Sequence, residues 1–72
     1  MNTYRITGPV ILSFILEDEQ QEFLLDTGTV ESDGHTVWLI NENGRFESIT
    51  TPNIIAAALA QGLLEERVEA NL

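Results

Sequence analysis

The first 49 positions alternate short apolar runs with turn residues, a pattern that predicts β-strands. Residues 10–16 form a run rich in β-branched and aromatic side chains, with Pro9 before it and acidic residues after it. Apolar side chains occur at both odd and even positions of this run. We therefore expect both faces of this strand to be covered, as in the centre of a sheet or at an interface.

The segment after this run allows two interpretations. Gln20 and Gln21 can form the loose turn of a hairpin, after which residues 22–31 return as the second strand. Good helix formers also fill residues 17–25, and a helix over that segment is the alternative. The pattern leaves both interpretations open.

Two later turns are marked more clearly. Ser32-Asp33-Gly34 places glycine where a three-residue hairpin loop requires a positive φ angle. Asn41-Glu42-Asn43-Gly44 is the strongest turn signal in the chain, because Asn and Gly tolerate left-handed backbone angles. The segments that follow these turns, residues 35–40 and 45–49, predict two further strands.

A helix is predicted for the C-terminal part of the chain. Thr50 or Thr51 can cap it, and Pro52 suits the first helical position. The apolar residues that follow favour a helix over about residues 52–70, although Gly62 can end it early. The sequence thus predicts one α+β domain over residues 1–72.

In this predicted fold, an antiparallel β-meander of three to four strands spans about residues 3–49. The C-terminal helix packs on one face of that sheet. A small closed β-barrel with a helical cap is the alternative.

The two faces of the predicted helix differ in their expected neighbours. Ile55, Leu59 and Leu63 form one stripe, which we expect to face the sheet. Ile54 and Ala58 lie on the other side, where a surface helix usually carries polar residues. We interpret these two residues as the apolar part of a partner-binding surface.

Composition and charge exclude several kinds of protein. The 72 residues include 12 Asp and Glu, three Arg, no Lys and no Cys, so the net charge is −9. Without cysteine there is no disulfide and no Cys-ligated zinc. The negative charge opposes direct binding to nucleic acids or to anionic membranes. No signal peptide or membrane span is evident, and we expect a cytoplasmic protein.

Carboxylates are concentrated in one short segment, which predicts a second part of the partner-binding surface. The residues are Glu17, Asp18, Glu19, Glu22 and Asp26. Their spacing does not match a calcium-binding loop, so we expect no metal. Such a cluster suits a partner with a basic surface, such as a nucleic-acid-handling protein, and its carboxylates can imitate the phosphates of a nucleic acid.

One short motif resembles the active-site segment of aspartic proteases. Apolar residues precede Asp26-Thr27-Gly28, as they do in the catalytic strand and loop of that family. The resemblance covers seven residues, 23–29, and implies a dimeric protease in which Asp26 is the catalytic carboxylate. A strand that ends in an Asx/Gly turn explains the same residues.

No other motif indicates an enzyme or a cofactor. His35 has no second His and no Cys with which to form a ligand set or a catalytic triad. We therefore predict a small, acidic, non-enzymatic protein-interaction module without a cofactor. Inhibitors carried by phages or mobile elements, which cover a basic functional surface of a host protein, are proteins of this kind. The alternative is a self-associating subunit of a homo-oligomer, for example a homodimer.

Overall fold

The computed structural model describes residues 1–67 and contains seven strands and one helix. The predicted α+β class is confirmed, whereas the predicted number of three to four strands is wrong. The elements are β1 (Asn2–Ile6), β2 (Val10–Leu16), β3 (Glu19–Leu25), β4 (Thr29–Ser32), β5 (Val37–Asn41), β6 (Gly44–Ser48), α1 (Asn53–Ala60) and β7 (Leu64–Arg67).

The strands form two antiparallel units. Five of them make one sheet in the order β6-β5-β4-β1-β7, and β2 and β3 make a separate hairpin. The strand β1 therefore occupies an inner position of the sheet, between β4 and β7. The turns after Ser32 and Asn41 lie where the sequence predicts them, and Gly34 and Gly44 adopt φ angles of 92° and 131°. The loop after Ser32 has four residues, 33–36, rather than the predicted three, because Ser32 pairs with Val37.

The hydrophobic core lies between the sheet and the hairpin. Leu12 of the hairpin and Val30 and Val37 of the sheet are its most completely buried large side chains. The other buried apolar residues are Tyr4, Ile6, Val10, Phe14, Ile55, Ala58 and Leu64. Since both units contribute, neither can bury its apolar face without the other.

Only one face of β2 is buried. Its even-numbered residues up to Phe14 point into the core, while Ile11 and Ile15 are 50% and 52% exposed. The interpretation of β2 as a central strand covered on both faces is therefore wrong within the residues that the structure describes, whereas its interpretation as an interface stays a prediction. Successive side chains of a strand point to opposite faces, and here no described element lies over the outer face.

The helix is shorter than predicted. It ends at Ala60, and Gly62 takes a left-handed conformation with φ of 74°, which stops the helix. The chain then continues as β7, which pairs with β1, so the predicted helix over residues 61–67 is wrong. Positions 68–70 of the predicted helix lie outside the described residues.

The contacts of the helix are with the core and with β7. Ile55 and Ala58 enter the core, and the helix adjoins β7. The predicted packing of the helix across one face of the sheet stays a prediction. No side chain caps the helix N-terminus, and the hydroxyl of Thr50, one of the two predicted caps, accepts a hydrogen bond from the hairpin instead.

Hydrogen bonds around Ser13 attach the hairpin to the sheet. The Ser13 N–H donates to Thr50 Oγ1 (2.8 Å), and its carbonyl accepts from Ile49 N (2.9 Å) and Ser48 Oγ (2.7 Å). Ser48 is 4% exposed, and its hydroxyl also accepts from Thr50 N (3.0 Å). We call Ser13, Ser48, Ile49 and Thr50 the Ser13 cluster. It holds β2 against the end of β6, where no regular strand ladder exists.

The Ser13 cluster predicts a large effect of Ser48→Ala. The substitution removes one donor to the Ser13 carbonyl and leaves Thr50 N without its acceptor, so we expect a loss of about 1–3 kcal/mol in the free energy of unfolding. Ser32→Ala is the control, because buried Ser32 accepts only the local bond from Gly34 N; it should cost about 0.5–1 kcal/mol. Urea unfolding measures both, and equal losses contradict this role of the cluster.

The turn between β4 and β5 predicts that the free energy of unfolding depends on pH. Oδ1 of Asp33 accepts hydrogen bonds from Thr36 N and His35 N, both 2.8 Å, and these bonds lower the pKa of the Asp33 carboxyl. A lowered folded-state pKa adds stability above the unfolded-state pKa, and this stability is lost as pH falls through the folded-state pKa.

We therefore expect Asp33→Asn to destabilise the protein near pH 7 and to have a smaller effect as the pH is lowered through the folded-state pKa of Asp33, because protonation removes the charge that the two N–H groups stabilise. Urea unfolding of the two proteins at each pH measures the difference. Glu42→Gln, which also removes one exposed carboxylate, is the control for net charge. A difference between Asp33→Asn and wild type that stays constant with pH contradicts the assignment.

Candidate protein-binding surface

Four of the five predicted acidic residues lie on the β2–β3 hairpin, and the fifth, Asp26, follows the end of β3. This confirms the hairpin interpretation, and the alternative of a helix over residues 17–25 is wrong. The turn is formed by Glu17 and Asp18 rather than by Gln20 and Gln21. All five side chains of the predicted cluster are exposed: Glu17, Asp18, Glu19, Glu22 and Asp26.

The basic residues lie elsewhere. All three arginines of the chain are outside the hairpin, and two of them are near carboxylates of the sheet. Arg5 Nη2 lies 2.9 Å from Glu65 Oε2, and Arg45 Nε lies 3.6 Å from Glu31 Oε1. These exposed pairs add little stability. The location of the arginines matters more than this stability, because it leaves carboxylates as the only charged side chains of the hairpin.

The acidic turn has an unfavourable backbone conformation. Leu16 pairs with Glu19, so Glu17 and Asp18 form a two-residue turn, with φ angles of 52° and 64°. This type of turn favours Asn-Gly, because both central residues need positive φ. Glutamate has no side-chain property that suits this conformation, so the turn stores backbone strain at the tip of the hairpin.

The outer face of the hairpin exposes large apolar side chains. Ile11 is paired with Leu24 across the two strands, and Leu24 is 69% exposed. Ile15 lies further along the same face, and Glu22 is paired with Ser13 between them. Exposed apolar side chains that lie next to one another are typical of surfaces that bind other proteins.

A second apolar surface is an open groove beside the inner face of the hairpin. It has a volume of about 230 Å³ and is lined only by the apolar side chains of Phe14, Leu16, Phe23, Leu25, Leu39 and Phe46. The rings of Phe14 and Phe23 make an edge-to-face contact at 5.8 Å, which gives the groove a defined floor. Phe23 and Phe46 are 39% and 43% exposed, so the groove is open to solvent.

The outer edge of β3 has free backbone groups. Ser13 uses both its N–H and its carbonyl outside the hairpin, so its pair with Glu22 is of the type without mutual hydrogen bonds. By the alternation of antiparallel pairs, the backbone groups of Gln20, Glu22 and Leu24 then point away from β2. Among residues 1–67, no strand pairs with this edge.

The predicted apolar part of the surface is wrong for Ala58, whereas the predicted role of Ile54 stays a prediction. Ala58 is 2% exposed and belongs to the core, and Ile54 is half-buried against it. The helix buries Ile55 together with Ala58, one turn apart, while Leu59, expected to face the sheet, is 37% exposed. Because the helix has only eight residues and is followed by a strand, its orientation differs from that of a long helix lying along the sheet.

The protease-like motif links the two units of the fold. Asp26 and Thr27 are exposed, and Gly28, with φ of 126°, accepts a hydrogen bond from Ile6 N at 2.9 Å. This is the geometry of a strand-ending turn, and the dimeric protease stays a prediction. Within residues 1–67, no three His, Asp or Glu side chains are grouped as a metal site.

Comparison of the chain with protein-family models, curated proteins and solved structures gives no match. In the described part of the chain, no helix has the length and apolar character needed to cross a membrane.

The strained turn predicts that Asp18→Gly stabilises the protein. Glycine adopts positive φ without steric cost, and we expect a gain of about 0.5–1 kcal/mol after the larger entropy of the unfolded chain is subtracted. Glu19→Gln is the control, since it removes a neighbouring charge from a residue whose φ is not positive. Urea unfolding should show a smaller gain for the control; equal gains indicate charge repulsion rather than backbone strain.

Proposed function

We propose that the protein is a non-enzymatic interaction module that binds a partner with a basic surface through the β2–β3 hairpin. One observation supports this most directly. The same hairpin carries exposed apolar side chains and four carboxylates without a basic residue. Protein interfaces commonly combine an apolar centre with a charged rim, and the rim charge directs the approach of the partner.

The two components have separate roles in this proposal. Ile11, Ile15 and Leu24 supply contact area that leaves water on binding. The carboxylates of Glu17, Asp18 and Glu22 attract Lys and Arg side chains and repel nucleic acids and acidic proteins. A nucleic-acid-handling protein is the partner that this chemistry fits best, because its functional surface is basic. Binding there blocks that surface, which makes the protein an inhibitor.

A second candidate function is a self-associating structural subunit. The free edge of β3 favours it, because an unpaired strand edge can pair with its own copy. The charge opposes it, since each copy carries a net charge of −9 and would bring its glutamates next to those of the other. We therefore favour a different, basic protein as the partner.

The test is affinity capture on the immobilised full-length protein from a lysate of the cells that produce it, followed by kinetic measurements on the retained protein. We expect that protein to associate at least about tenfold faster at ~50 mM than at ~500 mM salt. An on-rate that does not change with salt contradicts the electrostatic part of the proposal.

A matched pair of triple variants locates the surface. The hairpin variant combines Glu17→Gln, Glu19→Gln and Glu22→Gln, and the control combines Glu42→Gln, Glu47→Gln and Glu66→Gln, which are equally exposed elsewhere. Both variants lose three charges. The proposal expects slower association of the hairpin variant only, and equal effects contradict a role of the hairpin.

A further inference from the structure

We infer that the free edge of β3 binds an extended basic segment of the partner as an added antiparallel strand. Apolar side chains of that segment then enter the groove beside Phe23. This inference rests on the proposed function, because it specifies how the hairpin binds its partner. It depends on the juxtaposition of three features: an unpaired strand edge, an apolar groove on one side of it, and carboxylates along it.

The unpaired edge supplies the backbone hydrogen bonds. The N–H and carbonyl groups of Gln20, Glu22 and Leu24 point away from β2 and alternate as they do in a sheet. An added strand can therefore form backbone hydrogen bonds with three residues of β3. Strand addition obtains its affinity from such main-chain bonds and its specificity from the side chains that alternate along the added strand.

The groove selects one set of those alternating side chains. Phe23 and Leu25 point toward the inner side of the hairpin and line the groove with Leu39 and Phe46 on the opposite wall. Residues that lie directly opposite each other on neighbouring strands point their side chains to the same face of the sheet. Every second residue of the added strand consequently lies over the groove, whose 230 Å³ accommodate Val, Ile or Phe side chains.

The carboxylate of Glu22 selects the other set of side chains. Glu22 projects from the outer face of β3, while Glu19 and the turn residues Glu17 and Asp18 lie at one end of the strand. Side chains of the added strand that are adjacent to Glu22 lie on this outer face, where opposite charges directly across a strand pair are favourable. The segment that fits is thus one in which Lys or Arg alternates with Val, Ile or Phe.

A second copy of the chain fits this edge poorly. In antiparallel self-pairing of β3, Glu22 of one copy lies close to Glu22 of the other, and the two acidic turns flank the pair. Like charges in such positions are destabilising. Charged residues on an edge strand are also a common protection against self-pairing, so the same glutamates exclude a second copy and accept a basic segment.

The test measures binding of a synthetic nine-residue peptide to the full-length protein by calorimetry. In this peptide Arg or Lys alternates with Val or Phe, and its ends are blocked. We expect saturable binding that weakens at least about tenfold when alternate backbone nitrogens of the peptide are methylated, because several hydrogen bonds are lost together. A peptide of the same composition in scrambled order should bind similarly weakly.

Two protein variants test the groove and the edge. Phe46→Gln, at the exposed end of the groove, should weaken peptide binding about tenfold, whereas the control Leu59→Gln, with 37% exposure outside the groove, should not. Gln20→Pro removes one outward N–H from the edge and should also weaken binding. Peptide methylation tests the same bonds in the unaltered protein, so the inference stays testable if Gln20→Pro does not fold.

The outcomes separate this inference from the proposed function. Equal affinity for the methylated and unmethylated peptides, or no saturable binding of either, overturns strand addition. The proposed function stands in that case if the captured partner still depends on the hairpin carboxylates. The inference is also overturned if light scattering shows a dimer at micromolar concentration and Gln20→Pro dissociates that dimer, because a second copy then occupies the edge.

Discussion

The position of the hairpin relative to the sheet depends on the backbone of one residue, Ser13. Its N–H and its carbonyl are both bonded to the segment after β6, through Ser48, Ile49 and Thr50. This choice has a consequence on the opposite strand. Because Ser13 does not use these groups within the hairpin, the facing residue Glu22 directs its own groups outward. The attachment of the hairpin and the free edge of β3 thus have the same cause.

If the hairpin has the proposed function, stability and binding make opposite demands on it. Val10, Leu12 and Phe14 bury one face of β2, and this burial holds the two units of a small domain together. Ile11 and Ile15 on the other face leave about half of their surface exposed to water in the free protein, and Glu17 and Asp18 keep a backbone conformation that glycine would adopt more easily. Unfavourable features of this kind persist when a surface serves binding.

The sequence predicts the fold class and several turns, for reasons that are local. Gly34 and Gly44 adopt the positive φ angles that their turn sequences require. Local reasoning does not predict β7. The segment Leu64-Glu65-Glu66-Arg67 has the propensity of a helix and becomes a strand only by pairing with β1. Gly62 was the available signal that the helix ends before this segment.

The acidic part of the candidate surface could be predicted because its signal is also local. The acidic segment is contiguous in sequence, so Glu17 to Asp26 could be identified from the pattern alone. The apolar part required knowledge of which helix face is buried, and Ala58 proved to be in the core. The run of apolar residues at both parities of β2 indicated either a central strand or an interface. The exposed outer face contradicts the first interpretation in the described residues, and the second stays a prediction.

Hydrogen exchange of the backbone amides in the free full-length protein measures directly whether the outer edge of β3 is free. We expect an alternation along β3, with rapid exchange of the amides of Gln20, Glu22 and Leu24 and slow exchange of those of Gln21 and Phe23. The amides of Ser13 and Ile49 should also exchange slowly. Slow exchange along the whole of β3 would show that the edge is already paired and would contradict the account.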